Sequence, residues 1–468
     1  MAGGETSSRS PVGQYDPSVQ TRDPRATRPT TIRWYVAVFA AVICFLDYLF
    51  RTNLAVAGPA MMRGLGITQV QLGLAFSAFA WVYGLCQVPG GVACQIIGPR
   101  RAITALLAGW GVITLLTGLI PGSAVAPVWL VLAALVALRA VLGVLQAAIF
   151  PAIQGPVLIQ WLPPGRWALA TSLTSVGLTL GGAVAGPIVI WLVLDFGWRQ
   201  SFVFTAPILF VFAAAWWWFF RDDPAQHPWV NPEEIALIGE RRAAGAHVDW
   251  RRDLRVVFAN RDVIALTVSY FLLSYEAAFF YNWIPTYLTD IRHIGAAASG
   301  VLTGAMWLAG AGCAVAGGLL TDRLCGRHGN GIGCRLIGLI SVPLMVPLLV
   351  AGAHAHGSGA MFTLLALAFG LSQFTDAAYW VAAMRVAGPR TAAATGLMNS
   401  GAAAALGVGS LAFPLMGRHI GWDHAIDFSA ILVLMSAICW PWIAADRVMA
   451  EPNAATMLGA SIATPLSA

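Results

Sequence analysis

Twelve apolar runs of roughly 18 residues or more recur along this chain, each the length a bilayer core demands of a helix, and no other feature constrains its fold as tightly. They fall at 34–57, 70–97, 102–120, 128–153, 167–194, 200–220, 263–289, 297–320, 335–353, 360–386, 391–417 and 424–445. Lipid offers backbone amides no partner, so only helices or a closed barrel can span it. Barrel strands would alternate apolar and polar residues, whereas these runs are apolar on every side. Of the 468 residues 58% are hydrophobic and 10% charged, against roughly 45 to 50% and 25% in soluble domains. A water-soluble globule is excluded, and the expectation is an all-α integral membrane protein of twelve transmembrane helices.

The runs form two sets of six. Residues 34–220 are read as one six-helix bundle, 221–262 as a hydrophilic cytoplasmic linker with an amphipathic helix near Pro232 to Arg242, and 263–446 as a second bundle. Residues 1–33, polar and without the apolar core of a signal peptide, read as a disordered tail, and 447–468 as another. Of the 27 basic residues, all arginine, only Arg63, Arg199, Arg292 and Arg418 fall in alternate loops, two lie in mid-run, and the other 21, in loops, tails or at run ends, share one side with the first tail. The positive-inside rule then puts both termini in the cytoplasm, which suits a cell inner membrane. The net charge of +6 is spread over short loops instead of forming a basic face, so no nucleic-acid partner is expected. Five of the seven cysteines sit in runs, so disulfides are not expected; Cys325, His328 and Cys334 fit no zinc spacing, and no metal or other cofactor is expected.

The sets also repeat. Gly91 to Arg101 follows the second run and Gly318 to Arg323 the eighth; the Gly-Gly pair at Gly181 recurs near Gly407, and Gly197-Trp198 recurs as Gly421-Trp422. Near-equal offsets imply duplication, hence two bundles around a central cavity with substrate near the midplane and alternating access by rocking. The 49 glycines let helix backbones approach.

Gly91 to Arg101 and Gly318 to Arg323 resemble the signature loops of the major facilitator superfamily. Several stretches resemble its anion:cation symporter branch, which carries sugar acids, aromatic acids and other organic anions. They are Tyr48-Leu-Phe-Arg51-Thr-Asn53, Tyr83-Gly-Leu-Cys-Gln87-Val-Pro, Arg139-Ala-Val-Leu-Gly143-Val-Leu-Gln146, Gly197-Trp198-Arg199, Asn282-Trp283-Ile-Pro285, Trp380 and Asn399. The resemblance covers about Trp34 to Asp446 and implies transport of a small organic anion by a monomer. Three positions depart from the pattern: Phe50 stands where an acid usually precedes the arginine, Gln146 where a Glu is usual, and Gln95 where the first loop has its acid. In proton-coupled relatives the first two acids carry the proton, so coupling to H+ is in question.

An arginine in mid-span costs at least ~2.5 to 3.5 kcal/mol, so Arg51 and Arg139 need partners or a wet cavity. A guanidinium grips a carboxylate through two parallel hydrogen bonds, and two on facing helices make an organic-anion site. The alternative is that each only locks helices through a nearby acid. Asp47, four residues before Arg51, is either its static counterion or a displaced proton carrier. Gln146, on the face of Arg139, can donate to substrate but cannot release a proton. Glu276 and Asp376 are further proton or cation candidates, or plain interhelical hydrogen bonds. The resemblance implies that Tyr48, Tyr83, Tyr281, Asn282, Trp380 and Asn399 line the cavity, the alternative for each aromatic being helix packing or the membrane-interface belt, and that Phe50 makes it more apolar. Gly91, Arg100, Arg101, Gly318, Asp322 and Arg323 are read as gating loops, the second copy dominating because Gln95 has lost the charge. A ligand sensor would want a signalling domain that neither tail is long enough to supply. An enzyme would want a nucleophile and base, a His-rich cluster or a phosphate loop, and none appears in the runs.

Overall fold

Every apolar run is a helix in the computed structural model, which describes residues 28–163, 166–239, 250–443 and 445–446. In chain order the spans are α1 (Ile32–Leu65), α2 (Gln69–Ile97), α3 (Pro99–Gly118), α4 (Val128–Trp161), α5 (Leu169–Phe196) and α6 (Trp198–Phe219), followed by α7 (Arg261–Ile291), α8 (Ala296–His328), α9 (Gly331–His354), α10 (Ser358–Ala387), α11 (Ala393–His419) and α12 (Trp422–Trp442). No strand occurs among the described residues. With twelve antiparallel spans, Ile32 and Trp442 lie on one face, here the terminal face, and the turns after α1, α3 and α5 lie on the distal face.

Three helices outrun their apolar segments. α1 continues past Pro59 to a left-handed cap at Gly66, φ 66°, whose N–H bonds to the Met62 carbonyl. α4 passes through a π turn at Ile153–Val157, where Pro156 brings no N–H to the ladder. α8 runs to His328, because Asp322, Arg323 and Arg327 leave the apolar zone without leaving the helix.

Packing repeats between the halves. In the first, α1 packs on α5, α2 on α4 and α3 on α6; in the second, α7 packs on α11, α8 on α10 and α9 on α12. The halves meet through α2 on α11 and α5 on α8, which the same duplication exchanges. Backbone conformation follows suit: Gly197 and Gly421, at φ 91° and 92°, turn the chain into α6 and α12 at a geometry that residues with a Cβ rarely adopt. Carboxylates from the ends of the halves then cap equivalent helices. Asp222 Oδ1 accepts from Arg100 N at 2.8 Å at the start of α3, and Asp446 Oδ1 from Gly331 N at 2.7 Å at the start of α9.

The linker is fastened to the first half. Asn231 caps a helix at Pro232–Ile238, and the rest of the helix expected to reach Arg242 lies outside the described residues. A further helix, Trp250–Ala259, precedes α7. Glu234, fully buried, accepts from the Thr30 hydroxyl, from Ile32 N at 3.2 Å and from Arg33 N and Nη1 at 3.0 and 2.8 Å. It thus satisfies free amides that open α1, and the end of the segment read as the first tail lies against the linker. Residues 1–27 and 447–468 lie outside the described residues.

α1 and α5 approach so closely that a Cβ at Gly181 would sit 2.1 Å from the Phe45 carbonyl oxygen. Gly181→Val is therefore expected to lower the thermal unfolding midpoint of the purified protein, at an overpacking cost of at least about 1–3 kcal/mol. Gly312→Ala, where nothing lies within 4 Å, should leave it unchanged.

Candidate functional site

One face of α1 carries Asp47, Tyr48 and Arg51, since residues three and four apart on a helix stack. The Arg51 guanidinium lies over aromatic rings, 4.8 Å from the Tyr83 centroid, 4.9 Å from Phe79 and 5.7 Å from Tyr48. Phe79 and Tyr83 are one turn apart on α2, and α4 is pressed against that turn at Gly143, whose Cβ would meet the Phe79 carbonyl at 2.7 Å. Arg139 and Gln146, four before and three after Gly143, share its face and so come beside the same turn. Arg139 and Gln146 are 5% and 1% exposed.

These groups are short of partners. Arg139 Nε, both amide atoms of Gln146 and Asp47 Oδ1 are buried without a protein hydrogen bond. Neither Arg51 nor Arg139 has a carboxylate within ion-pairing distance among the described residues. Asp47 shares a face with Arg51 and interacts with its charge, but does not close an ion pair with it in this conformation. Ring faces soften the cost of an unpaired guanidinium, by about 0.5–2 kcal/mol per contact, without cancelling its charge.

Across the interface, α7 is broken by a π turn at Phe279–Trp283, followed by Pro285, which cannot donate to the Tyr281 carbonyl. The turn aims Asn282 Nδ2 at Ser410 Oγ of α11, 2.7 Å away, and tilts the Tyr281 ring onto Trp307 of α8 at 4.9 Å. Trp307 also meets the Tyr48 ring at 5.5 Å, joining the halves behind the arginines. Asn399 Nδ2 donates to Gln87 Oε1 at 2.7 Å, and the Ser400 hydroxyl to the Gly84 carbonyl at 3.0 Å. Asp376 accepts from the Tyr270 hydroxyl at 2.6 Å, with Trp380 one turn further along α10. Glu276, 1% exposed, has neither oxygen hydrogen-bonded.

The structure thus brings Tyr48, Arg51, Tyr83, Arg139 and Gln146 together in the first half. Tyr281 faces them from the second, whereas Asn282 and Asn399 already use amide donors on protein. Phe50 departs from expectation: it is 4% exposed and packs edge-on against Trp110 of α3 at 5.4 Å, so it belongs to bundle packing. Sequence reasoning missed Phe79 and Trp307; the Phe79/Tyr83 spacing of one turn was the available signal for the first.

The expected gating loops are helical. Gly91 lies in α2, Arg100 and Arg101 open α3, and Gly318, Asp322 and Arg323 lie on α8, whose polar last turns resemble a loop in sequence. The Arg100 guanidinium donates to the Trp217 carbonyl at 2.9 and 2.7 Å. Gln95 does not leave the first corner without an acid, because Asp222 supplies one. A cavity of about 510 Å³ opens between α8 and α10, lined by Asp322, Cys325, Gly326, Val381, Met384 and Arg385, away from Arg51.

Two repeated six-helix bundles meeting over buried cationic and aromatic side chains define a polytopic carrier. The chain belongs to the major facilitator superfamily: residues 40–390 match that family. It is 30% identical over 404 residues to a probable sulfoacetate transporter of Cupriavidus necator, covering 84% of this chain and 90% of that one. It is 28% identical to a D-galactonate transporter of Escherichia coli, covering 88% and 94%. A hexuronate transporter of Bacillus subtilis is 27% identical over 74% and 78%. Among solved structures, an inward-facing bacterial homolog of the human lysosomal transporter Spinster superposes with a TM-score of 0.72 at 16% identity, covering 91% of this chain and 100% of that one.

If Arg139 serves a ligand and not the fold, Arg139→Met should leave the unfolding midpoint of the ligand-free protein unchanged or raised, since an unpartnered buried charge is replaced by an apolar chain. A clear fall would assign Arg139 a structural partner.

Proposed function

We propose that this protein is a secondary transporter that moves a small organic anion across the membrane by alternating access, with the anion held between Arg51 and Arg139. The observation that carries the reading is that both arginines lie inside the spans without a carboxylate partner. The ligand that best completes such a site brings its own negative charge, and a carboxylate or sulfonate matches the guanidinium fork. The names of the relatives agree in chemistry, since sulfoacetate, galactonate and hexuronates are all small organic acids. Tyr48, Tyr83 and Gln146 add hydroxyl and amide contacts within the first half. Asn282, Trp380 and Asn399 are assigned to the cavity wall of the second, with the amides exchanging protein partners for substrate.

Alternating access would rock the halves about α2/α11 and α5/α8. Contacts between α5 and α8 run from Gly182 and Trp307 to Gly186 and Gly300, in the distal part of α5, so the conformation is assigned as closed on the distal face. Asp322 and Arg323, exposed at the end of α8, together with Gly91, Gly318, Arg100 and Arg101, are assigned to the terminal-face gate. The arginine distribution supports cytoplasmic termini and an inner-membrane location. Each chain holds the whole site between its own halves, in keeping with a monomer. The proton is the proposed second partner, with Asp47, Glu276 and Asp376 the carboxylates available to it.

Proteoliposomes loaded with unlabelled sulfoacetate or D-galactonate are expected to exchange it for labelled compound, and Arg51→Lys and Arg139→Lys each to lower that exchange at least about tenfold, the equivalent of ~1.4 kcal/mol. Exchange of neither compound nor of other organic acids, with both variants indistinguishable from the parent, would remove the reading.

A further inference from the structure

We propose that Glu276 is a proton-binding site of the second half, protonated in this conformation and obliged to release its proton in another. The inference rests on the transport reading above and supplies it with a coupling residue in place of the acids missing at Phe50 and Gln146, which cannot titrate.

Three observations carry it. Glu276 is 1% exposed, in the middle of α7, and neither carboxylate oxygen has a hydrogen-bond partner among the described residues. Two other carboxylates deep within the spans differ: Asp376 accepts from Tyr270 at 2.6 Å, and Asp47 shares a helix face with Arg51. Glu276 also stands one turn before the π turn at Phe279–Trp283, which sets Tyr281 against Trp307 and, through it, Tyr48.

The groups around Glu276 offer an ionised carboxylate no neighbouring cation. On α7 itself the neighbours are Tyr275 and Tyr281, and the basic Arg261 begins the helix four turns away. On α10 the Ser372 hydroxyl is directed at the Glu276 carboxyl; the titratable groups of that helix are Asp376 and Tyr379, bonded to Tyr270 and Ser269, and Arg385 in the last turn. α11 carries no charge before Arg418 and His419 in its last turn. α12 holds Asp423, His424 and Asp427 at its distal end and Cys439 at the other. Across the interface α1 presents Asp47, Tyr48 and Arg51, of which the guanidinium is engaged with the rings of α2.

A carboxyl buried with no cation beside it and only a serine hydroxyl within reach is held neutral by the cost of burying its charge. It can ionise only in a conformation that brings water or a cation to it. Proton loss is thereby tied to rearrangement of α7, the helix whose π turn touches the arginine site. The step moves one proton between Glu276 and water, Glu–COOH to Glu–COO⁻ with H⁺ released, and needs no other reactant. The neutral isostere glutamine should mimic the protonated state and support folding.

The test uses the full chain reconstituted in lipid. Infrared spectra at neutral pH are expected to show a protonated-carboxyl carbonyl band that Glu276→Gln removes and Asp376→Asn and Asp47→Asn retain; a band unaffected by Glu276→Gln would overturn the proposal. With D-galactonate and sulfoacetate as probes, Glu276→Gln should keep exchange within about twofold while losing at least about tenfold of the accumulation driven by an imposed pH gradient. Unaltered accumulation in that variant would equally overturn it. If neither the parent nor the variant exchanges these probes or any other organic acid, the arginine reading fails, and the infrared band alone decides the protonation of Glu276.

Discussion

A guanidinium held inside a bilayer-sized helix bundle must be neutralised, wetted or occupied, and this protein holds two. Around Arg51 the fold supplies ring faces from Tyr83, Phe79 and Tyr48 in place of a carboxylate. Around Arg139 it supplies burial and an unpartnered Gln146. The rings soften the cost of the first cation and burial raises that of the second, and neither charge is discharged, which keeps affinity for an incoming anion. The glycine contacts serve this end: Gly181 seats α1 against α5, and Gly143 brings α4 to the turn of α2 that carries the rings.

The duplication gives the site its frame. Each pair of packed helices in the first half has its counterpart in the second, down to the Gly197 and Gly421 turns and the Asp222 and Asp446 caps. The two halves have nevertheless diverged in chemistry. The first gathers cations and rings; the second holds Glu276, Asp376 and a helix weakened by two π turns at Phe279–Trp283 and Tyr287–Ile291. Trp307 joins them, packed between Tyr48 and Tyr281, so a change on α7 reaches the ring cage of Arg51 through direct contact.

The twelve helices were legible because the bilayer leaves so few solutions to a long apolar run, and the family because its short motifs recur in order. The importance of Arg51 and Arg139 could be read from the cost of charge in a span. Other features depend on contacts that no local pattern encodes. Pro285 announces a disturbance in α7, but whether the helix kinks or widens into a π turn depends on the packing of Tyr281 and Asn282. Asp322 and Arg323 look like loop residues because polarity marks the edge of the membrane, while the helix itself continues to His328. Phe50 was placed beside Arg51 by sequence adjacency, yet neighbours on a helix point about 100° apart, which turns Phe50 toward Trp110. Asp222 and Asp446 reach their capped helices over distances in sequence that no motif spans.

The central claim is that two uncompensated arginines await an anion. It is tested most directly by the unfolding midpoint of the purified protein against small carboxylates and sulfonates and their neutral amide analogues, at matched ionic strength. Binding to the folded state alone should raise the midpoint progressively with ligand concentration. The account predicts that at least one acid does so, that its amide does not, and that replacing Arg51 or Arg139 removes the shift. A neutral amide as effective as its acid, or a shift that survives loss of both arginines, would contradict it.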